Sequence, residues 1–280
     1  MGAASRPEAQ EGDGRRTPLV VVATVAALWA LAHPYLGVVH DARLYAVQAL
    51  RALDPGLYGA DLLFRFGAQD DYSIFTHILA PLIERLGLPT AAVLLAAIAH
   101  ALWLAAAVAL ARSLFGDWRR AALPLVFAAA MPAFYGGFGT FSFGEGFLTP
   151  RLFAEAATLW SLFFVSTGRR ALAFLALIVG TAFHPLYGLI GGGLLLIRLA
   201  YDDRRWLILF PIGVAVALAA AAAGVAPFAD LFRTFDKDWL GIVERRSSML
   251  FPSMWSADDW ARFAISIAFV AASAVVGRCW

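Results

Sequence analysis

The sequence predicts an all-α membrane protein, a polytopic bundle of about eight transmembrane helices. Its composition is the first reason, because 61% of the 280 residues are hydrophobic, only 15% are charged, and the mean hydropathy is +0.72. A soluble domain carries about 25% charged residues and could not bury so much apolar surface in one core. The second reason is a series of long apolar runs, and the third is the position of the arginines between them.

Charge and cysteine content exclude several other classes. A formal net charge of +2 provides no strongly basic surface, so we expect no nucleic-acid partner. The single cysteine, Cys279, can build neither a disulfide framework nor a cysteine metal site. The many alanines and arginines, with Lys237 as the single lysine, suggest a GC-rich bacterial genome.

The apolar runs divide the chain into a tail and a transmembrane domain. Residues 1–16 are polar and predict a disordered cytoplasmic tail, and residues 17–280 form the transmembrane domain. The predicted spans lie at 17–39, 89–111, 121–137, 152–168, 171–186, 187–200, 206–224 and 260–277. The fifth and sixth runs meet just after His184-Pro185, either as one broken helix or as a tight helical hairpin. The last span ends without a tail, which suggests a fragment of a longer protein.

The topology depends on segment 72–88, which is apolar but contains charged residues and a proline. Short cytoplasmic connections collect arginine and lysine. If 72–88 does not span, the cytoplasmic arginines are Arg6, Arg15, Arg16, Arg112, Arg119, Arg120, Arg169, Arg170, Arg198, Arg204, Arg205 and Arg278. If it spans, most of these clusters move outside. We therefore expect a cytoplasmic (inner) membrane protein with its N-terminus inside and outer loops at 40–88, 136–151 and 225–259.

The first outer loop is predicted to carry interfacial helices. Apolar residues recur at helical spacing before the stop signal Asp54-Pro55-Gly56; they are Leu44, Val47, Leu50 and Leu53. A short helix of this kind between spans should lie in the plane of the membrane surface.

Acidic and basic residues in this loop are the first candidate site residues. Asp41 follows the first span, where it can act as a helix N-cap, as a general base at the water–lipid boundary, or as both. His40 is a candidate proton carrier or a surface residue. Asp70 and Asp71 are either a pair that bridges a metal or phosphate, or solvated loop acids. Arg43 is grouped with them as a substrate-binding candidate.

The second outer loop is rich in glycine and phenylalanine around Glu145, a further candidate binding residue. Glycine lets a backbone approach a ligand closely, and aromatic side chains can cover a lipid chain or a sugar ring. The alternative is a flexible loop at the membrane surface.

The start of the fourth span combines a cap with two charges. Thr149 can cap the helix, and Pro150 suits its first turn. Arg151 and Glu155 stand at i,i+4 spacing. Since an acid within a span is costly, Glu155 indicates either an ion pair with Arg151 or a site that handles phosphate, for which arginine is well suited.

Three histidines fall within or at the ends of spans. His184 lies at the outer end of the fifth span, where Pro185 frees a backbone carbonyl. It is either a hydrogen-bonded core histidine or a group facing an outer cavity. For His33 and His100 we favour a packing role.

This layout resembles the GT-C fold of membrane glycosyltransferases that use polyprenyl-phosphate sugars. The shared features are an inward N-terminus, an acid at the outer end of the first span, and an outer loop of surface helices followed by many spans. The resemblance covers about residues 17–224 and is one of architecture rather than of motif. It implies that Asp41 is the catalytic base and that Arg151 and His184 contact the donor phosphate. A divalent metal is the one candidate cofactor.

Two other readings of the sequence remain open. Broken helices and buried polar groups also suit a transporter or lipid flippase, although the polar residues cluster at the outer boundary and no inverted repeat is evident. A non-catalytic subunit of a membrane assembly is the third reading. A membrane lipid is an expected partner in every case.

Overall fold

The computed structural model describes residues 9–65, 69–130, 134–135, 137–226 and 228–278. The chain divides into two compact units. The first unit comprises 1–131 and 144–213, and the second comprises 132–143 and 214–280.

The described residues fold almost entirely into helices. The α-helices are α1 (Ala9–Ala32), α2 (Ala42–Leu53), α3 (Pro55–Tyr58), α4 (Leu62–Arg65), α5 (Phe75–Leu86), α6 (Leu88–Phe115), α7 (Trp118–Ala130), α8 (Pro150–Ser166), α9 (Arg170–Phe183), α10 (Pro185–Asp202), α11 (Leu209–Ala222), α12 (Lys237–Arg246) and α13 (Ala257–Arg278). Short 3₁₀ turns lie at Gln69–Tyr72, Gly137–Gly139, Arg204–Ile208, Phe228–Asp230, Ser248–Leu250 and Pro252–Met254. Two-residue strands, β1 (Phe134–Tyr135) and β2 (Phe141–Ser142), pair antiparallel.

The all-α fold class is therefore confirmed, and each predicted span overlaps a helix, with bounds that differ by several residues in places. Among the described residues, Leu88–Phe115 and Arg204–Ala222 are long and apolar enough to cross a membrane. Helix α1 begins at Ala9, inside the segment predicted as a disordered tail, and residues 1–8 of that tail lie outside the described part of the chain.

Helix α5 occupies the segment that decides the topology. It has 12 residues and contains Pro81, so it is roughly 18 Å long, against a hydrocarbon core of about 30 Å. It packs against α2, the first helix of the predicted outer loop.

Helix α2 has the predicted position, and it ends at Leu53, just before the predicted stop signal. Leu44 and Leu53, at the two ends of the predicted apolar stripe, are exposed, while Tyr45, Ala46 and Gln48 are buried. The alanines of the buried face let α2 approach α5 closely, which the larger leucines would prevent. Leu44 and Leu53 thus lie on the side of α2 that the fold leaves exposed.

Helix α8 contacts α6, α9 and α10 within the first unit. Small residues allow these contacts. A methyl group added to Gly180 of α9 would lie 3.0 Å from Cβ of Ala157, and one added to Gly191 of α10 would lie 2.6 Å from Oγ1 of Thr158. Close approach at small residues is the usual way in which apolar helices pack.

Helices α9 and α10 are separate helices that meet at His184 and pack against each other, which is the hairpin alternative. The backbone of His184 is extended, and its Nδ1 accepts a hydrogen bond from the Tyr187 backbone N–H at 3.4 Å. Pro185 occupies the first turn of α10, where no backbone N–H is needed.

In the second unit, Asp259 connects the short hairpin to the start of α13. Its buried carboxylate accepts hydrogen bonds from the backbone N–H of Phe138 at 2.8 Å and from the Ser256 hydroxyl at 2.7 Å. Arg262 adds an ion pair at 3.3 Å. The Ser256 hydroxyl, with the backbone donors, holds the pKa of Asp259 below its usual range.

We expect Asp259→Asn to lower the unfolding temperature of the detergent-solubilised protein by roughly 5 °C, because an amide cannot accept all of these hydrogen bonds. The folded-state pKa lies below the unfolded value of about 3.9, so the carboxylate stabilises the fold above that pH and loses the effect as the pH falls further. Asp258→Asn, at the exposed neighbouring position, is the matched control. Equal unfolding temperatures for the two variants would contradict the prediction.

Candidate functional site

The site is built around Arg151, in the first turn of α8. Its Nε and Nη2 donate to the two carboxylate oxygens of Glu145 at 3.0 and 2.8 Å, and its Nη1 donates to Oδ2 of Asp41 at 2.8 Å. One guanidinium thus joins the loop after α1 to the loop before α8. The fork of an arginine side chain matches a carboxylate in this two-point geometry.

Glu145 is the buried member of this cluster, with 6% of its surface exposed. Besides Arg151, it accepts a hydrogen bond from the hydroxyl of Thr149 at 2.8 Å. Thr149 stands at the N-cap of α8, but its side chain makes no capping hydrogen bond, so the predicted capping role is wrong. The Thr149 hydroxyl orients the carboxylate that holds the arginine.

Asp41 is the open member of the cluster. Its side chain is 45% exposed, whereas that of Arg151 is 13% exposed. Asp41 stands at the N-cap of α2 but makes no side-chain capping bond. The interpretation of Asp41 as a cap is therefore wrong, because its carboxylate turns to Arg151 instead.

Tyr45 was missed by the sequence analysis. It lies one turn after Asp41 on the buried face of α2. Burial raises the pKa of Tyr45 to about 12, and the charges of Arg151, Asp41 and Glu145 also act on it. At neutral pH it is an uncharged phenol that can donate or accept a hydrogen bond but cannot serve as a base.

The glycine-rich loop approaches protein side chains closely. Gly144 has a φ of +64°, and a Cβ there would lie 2.6 Å from the Trp29 ring and 2.8 Å from the His33 ring. Two residues later, the Gly146 carbonyl accepts from the Leu36 N–H at 2.6 Å. Residues 144–149 are thus packed against the end of α1, and this places Glu145.

We expect Gly144→Ala to destabilise the protein by roughly 3 kcal/mol, since it combines left-handed backbone strain with overpacking. Gly168→Ala is the matched control, because Gly168 has a φ of +78° and a methyl group added there would meet nothing within 4 Å. The control should cost only about 1 kcal/mol. Chemical unfolding in detergent measures both, and equal costs would show that the contact with Trp29 is unimportant.

Glu155 does not form the predicted pair with Arg151. Its Oε2 accepts from the Gly144 backbone N–H at 3.3 Å, and it also shares a hydrogen bond with the Tyr187 side chain. Arg151 instead forms its ion pair with Glu145, whose carboxylate lies in the loop before α8 and contacts the guanidinium.

His184 and Tyr187 lie at the tip where α9 meets α10. Their rings are 5.2 Å apart in an edge-on arrangement. Phe183, beside His184, stacks on Phe153 of α8 at 4.7 Å between ring centroids. Since Phe153 is two residues from Arg151, the stack brings the tip to the same end of α8 as the arginine cluster.

The remaining candidate site residues are less closely connected to Arg151. His40 has a φ of +47°, and its ring lies 5.5 Å from that of Phe147 in the predicted second outer loop. Arg43 and Asp71 are exposed, and no described contact joins them to Arg151. The side chain of Asp70 lies outside the described part of the structure. Within the described residues, no group of three or more His, Cys, Asp or Glu residues could hold a metal ion.

An apolar groove of about 470 Å³ runs between α6, α8 and α9. Its lining includes Phe153, Trp160, Phe164, Leu172, Leu175 and Phe183. It begins at the Phe153–Phe183 stack beside the polar cluster. Along α8 it extends from residue 153 to residue 164, which corresponds to roughly 16 Å.

Comparison of the chain with protein-family models, with curated proteins and with solved structures finds no match.

Proposed function

We propose that this chain is a multi-pass protein of the cytoplasmic membrane that transfers a sugar from a polyprenyl-phosphate donor to an acceptor hydroxyl on the outer face. The observation that carries the proposal is the 2.8 Å ion pair between Asp41 and Arg151. It joins a partly exposed acid after the first helix to an arginine at the start of α8. A base beside a phosphate-binding cation is the minimum that such a transfer needs.

The proposed topology has eight spans: α1, α6, α7, α8, α9, α10, α11 and α13. In it, Asp41, Glu145 and Arg151 all belong to connections on the outer face. Their direct contact supports this arrangement, because residues on opposite sides of a bilayer core of about 30 Å could not form it.

The transfer would use Asp41 as general base. Asp41 takes the proton of the acceptor hydroxyl, whose oxygen then bonds to the anomeric carbon of the donor. The bond from that carbon to the phosphate oxygen breaks, and the polyprenyl phosphate leaves with the electron pair. Once protonated, Asp41 no longer neutralises the charge at Nη1 of Arg151. The positive charge of the fixed guanidinium is then available to the leaving phosphate as that group becomes more negative.

Glu145 holds the guanidinium of Arg151 in a fixed position. An arginine has five N–H donors, and the contacts with Glu145 and Asp41 use three of them. Since Glu145 holds the Nε edge in two-point contact, the guanidinium stays in place while its remaining donors face a phosphate. The apolar groove beside the cluster supports the same donor class, because it offers a place for a hydrocarbon chain next to its phosphate.

The first test is donor turnover by the purified full chain in lipid nanodiscs. The protein is incubated with a panel of polyprenyl-phosphate monosaccharides and a lipid-extract acceptor pool, and released polyprenyl phosphate is measured by mass spectrometry. We expect release from at least one donor. Folded protein that releases none from the whole panel would overturn the proposal.

The topology is tested by cysteine accessibility in intact cells, with Cys279 replaced by serine. Single cysteines at Asp71 and Phe147 should be labelled from outside, and those at Arg119 and Thr167 only after the cells are opened. If α5 crossed the membrane, the three positions after it in the chain, Arg119, Phe147 and Thr167, would exchange sides. That pattern would separate Arg151 from Asp41 and would remove the basis of the proposal.

One observation favours a transporter as the second candidate function. Glu155, His33 and His100 are ionisable residues within or at the ends of helices α8, α1 and α6, and such residues often mark transport pathways. A transporter would move a lipid or solute across sealed vesicles without releasing polyprenyl phosphate. Flux in the absence of donor turnover would favour it.

A further inference from the structure

Helix α12 presents an apolar face that no described residue buries. The helix reads KDWLGIVERR, and none of its described residues is buried in the fold. Trp239 is 59% exposed, and the preceding segment exposes Phe232 and Phe235 as well. Large aromatic side chains are seldom left together in water.

We propose that α12 lies in the headgroup layer of the bilayer, parallel to its surface, with Trp239 toward the acyl chains. Successive residues of an α-helix are turned by about 100°. Trp239, Leu240 and Val243 therefore share one side of α12, while Asp238, Gly241 and Arg245 share the opposite side, and Lys237 is turned about 160° away from Trp239. This separation is typical of helices that lie on a membrane.

The connection to α11 keeps α12 close to a helix able to cross the membrane. Helix α11 belongs to the segment Arg204–Ala222, which is long and apolar enough to span. Beyond it the chain turns repeatedly: Val225 N–H donates to the Ala220 carbonyl at 2.9 Å, and Ala229 N–H donates to the Val225 carbonyl at 3.0 Å. The carboxylate of Asp236 then caps α12 by accepting from the Trp239 N–H at 2.8 Å. A folded connection of this kind cannot carry α12 far from the end of α11.

The chemistry of α12 fits a bilayer surface better than a protein partner. Tryptophan and phenylalanine are enriched at the boundary between headgroups and acyl chains. Arg245 and Arg246 end the helix, and long basic side chains can reach back to the headgroups from an apolar face. Acidic and basic residues balance along residues 236–246, so attachment should come from apolar insertion and should not require anionic lipid. This inference depends on α11 crossing the membrane and is independent of the sugar-transfer chemistry.

The test measures depth at two positions in the first turn of α12. Two single-cysteine variants, Lys237→Cys and Trp239→Cys, are made in the full chain whose Cys279 is replaced by serine. Each is labelled with an environment-sensitive fluorophore and placed in phosphatidylcholine nanodiscs. A spin-labelled lipid quenches from the acyl region, and iodide quenches from water. We expect the lipid quencher to act about threefold more strongly at 239 than at 237, with the reverse order for iodide.

Val243→Cys is a second position on the apolar side and should behave like 239, which guards against a local effect of replacing the tryptophan. Raising the salt to about 0.5 M should leave the pattern unchanged, since it does not rest on charge. Strong iodide quenching at 237, 239 and 243 alike would place α12 in water and overturn the proposal. Protection of 239 and 243 from both quenchers would mean that protein covers the face, and would also overturn it.

Discussion

Arg151→Ala should be the most damaging single substitution in the first unit, lowering the free energy of unfolding by roughly 3–5 kcal/mol. It would leave the carboxylate of Glu145 buried without its cation, and it would remove the connection to Asp41. In a detergent-solubilised sample this corresponds to a fall of roughly 10 °C in the unfolding temperature. Donor turnover should be lost as well.

Two variants separate charge from geometry in this prediction. Arg151→Lys keeps the positive charge but not the fork, so it should fall between wild type and alanine. The double variant Glu145→Gln/Arg151→Ala should be more stable than Arg151→Ala, because the unpaired buried charge is gone. If the double variant is the less stable of the two, the buried carboxylate is not what makes Arg151 necessary.

Asp41→Asn should abolish most of the activity while the fold persists. General-base catalysis contributes about 10²–10⁴-fold, so donor turnover should fall about 1,000-fold. The exposed ion pair to Arg151 contributes at most about 1 kcal/mol to stability, and an asparagine can still accept one hydrogen bond from the guanidinium. The assay is sugar transfer in nanodiscs, with unfolding temperature measured on the same preparation.

Asp61→Asn is the matched control for Asp41→Asn. Asp61 is an exposed acid of the same outer loop that accepts from the Leu63 N–H at 2.8 Å, and asparagine retains this acceptor. Its activity should equal that of wild type. An Asp41→Asn protein that turns over donor at the wild-type rate would exclude Asp41 as the base, whatever the identity of the sugar.

The sequence was a good guide to where helices lie and a poor guide to which side chains meet. Apolar runs and helix stop signals act locally, so the positions of α2, α5 and α8 could be predicted. The buried side of α2 could not, because alanines, a tyrosine and a glutamine form it rather than the leucines.

The candidate site shows the same limit. Asp41 and Arg151 could each be selected as polar residues at helix ends, yet nothing in the sequence indicated a contact across 110 positions. The i,i+4 spacing suggested an ion pair between Arg151 and Glu155, one of the two alternatives for Glu155. That pair does not form, because the loop before α8 brings the carboxylate of Glu145 to the guanidinium. Tyr45 was missed because the apolar spacing that identified its helix rests on leucines and a valine, and Tyr45 is not among them.

The indole rings stacked beneath the glycine-rich loop have an optical consequence. Trp29 and Trp103 lie 4.1 Å apart between centroids with an angle of 22° between the ring planes, and His33 stacks on Trp29 at 3.8 Å. Two indoles at that separation couple their strong electronic transitions, so we expect the pair to give an exciton circular dichroism signal in the far ultraviolet that isolated tryptophans lack. Because Gly144 rests directly on Trp29, the signal reports on the backbone that positions Glu145. The protein therefore carries its own label-free probe of whether the candidate site is assembled.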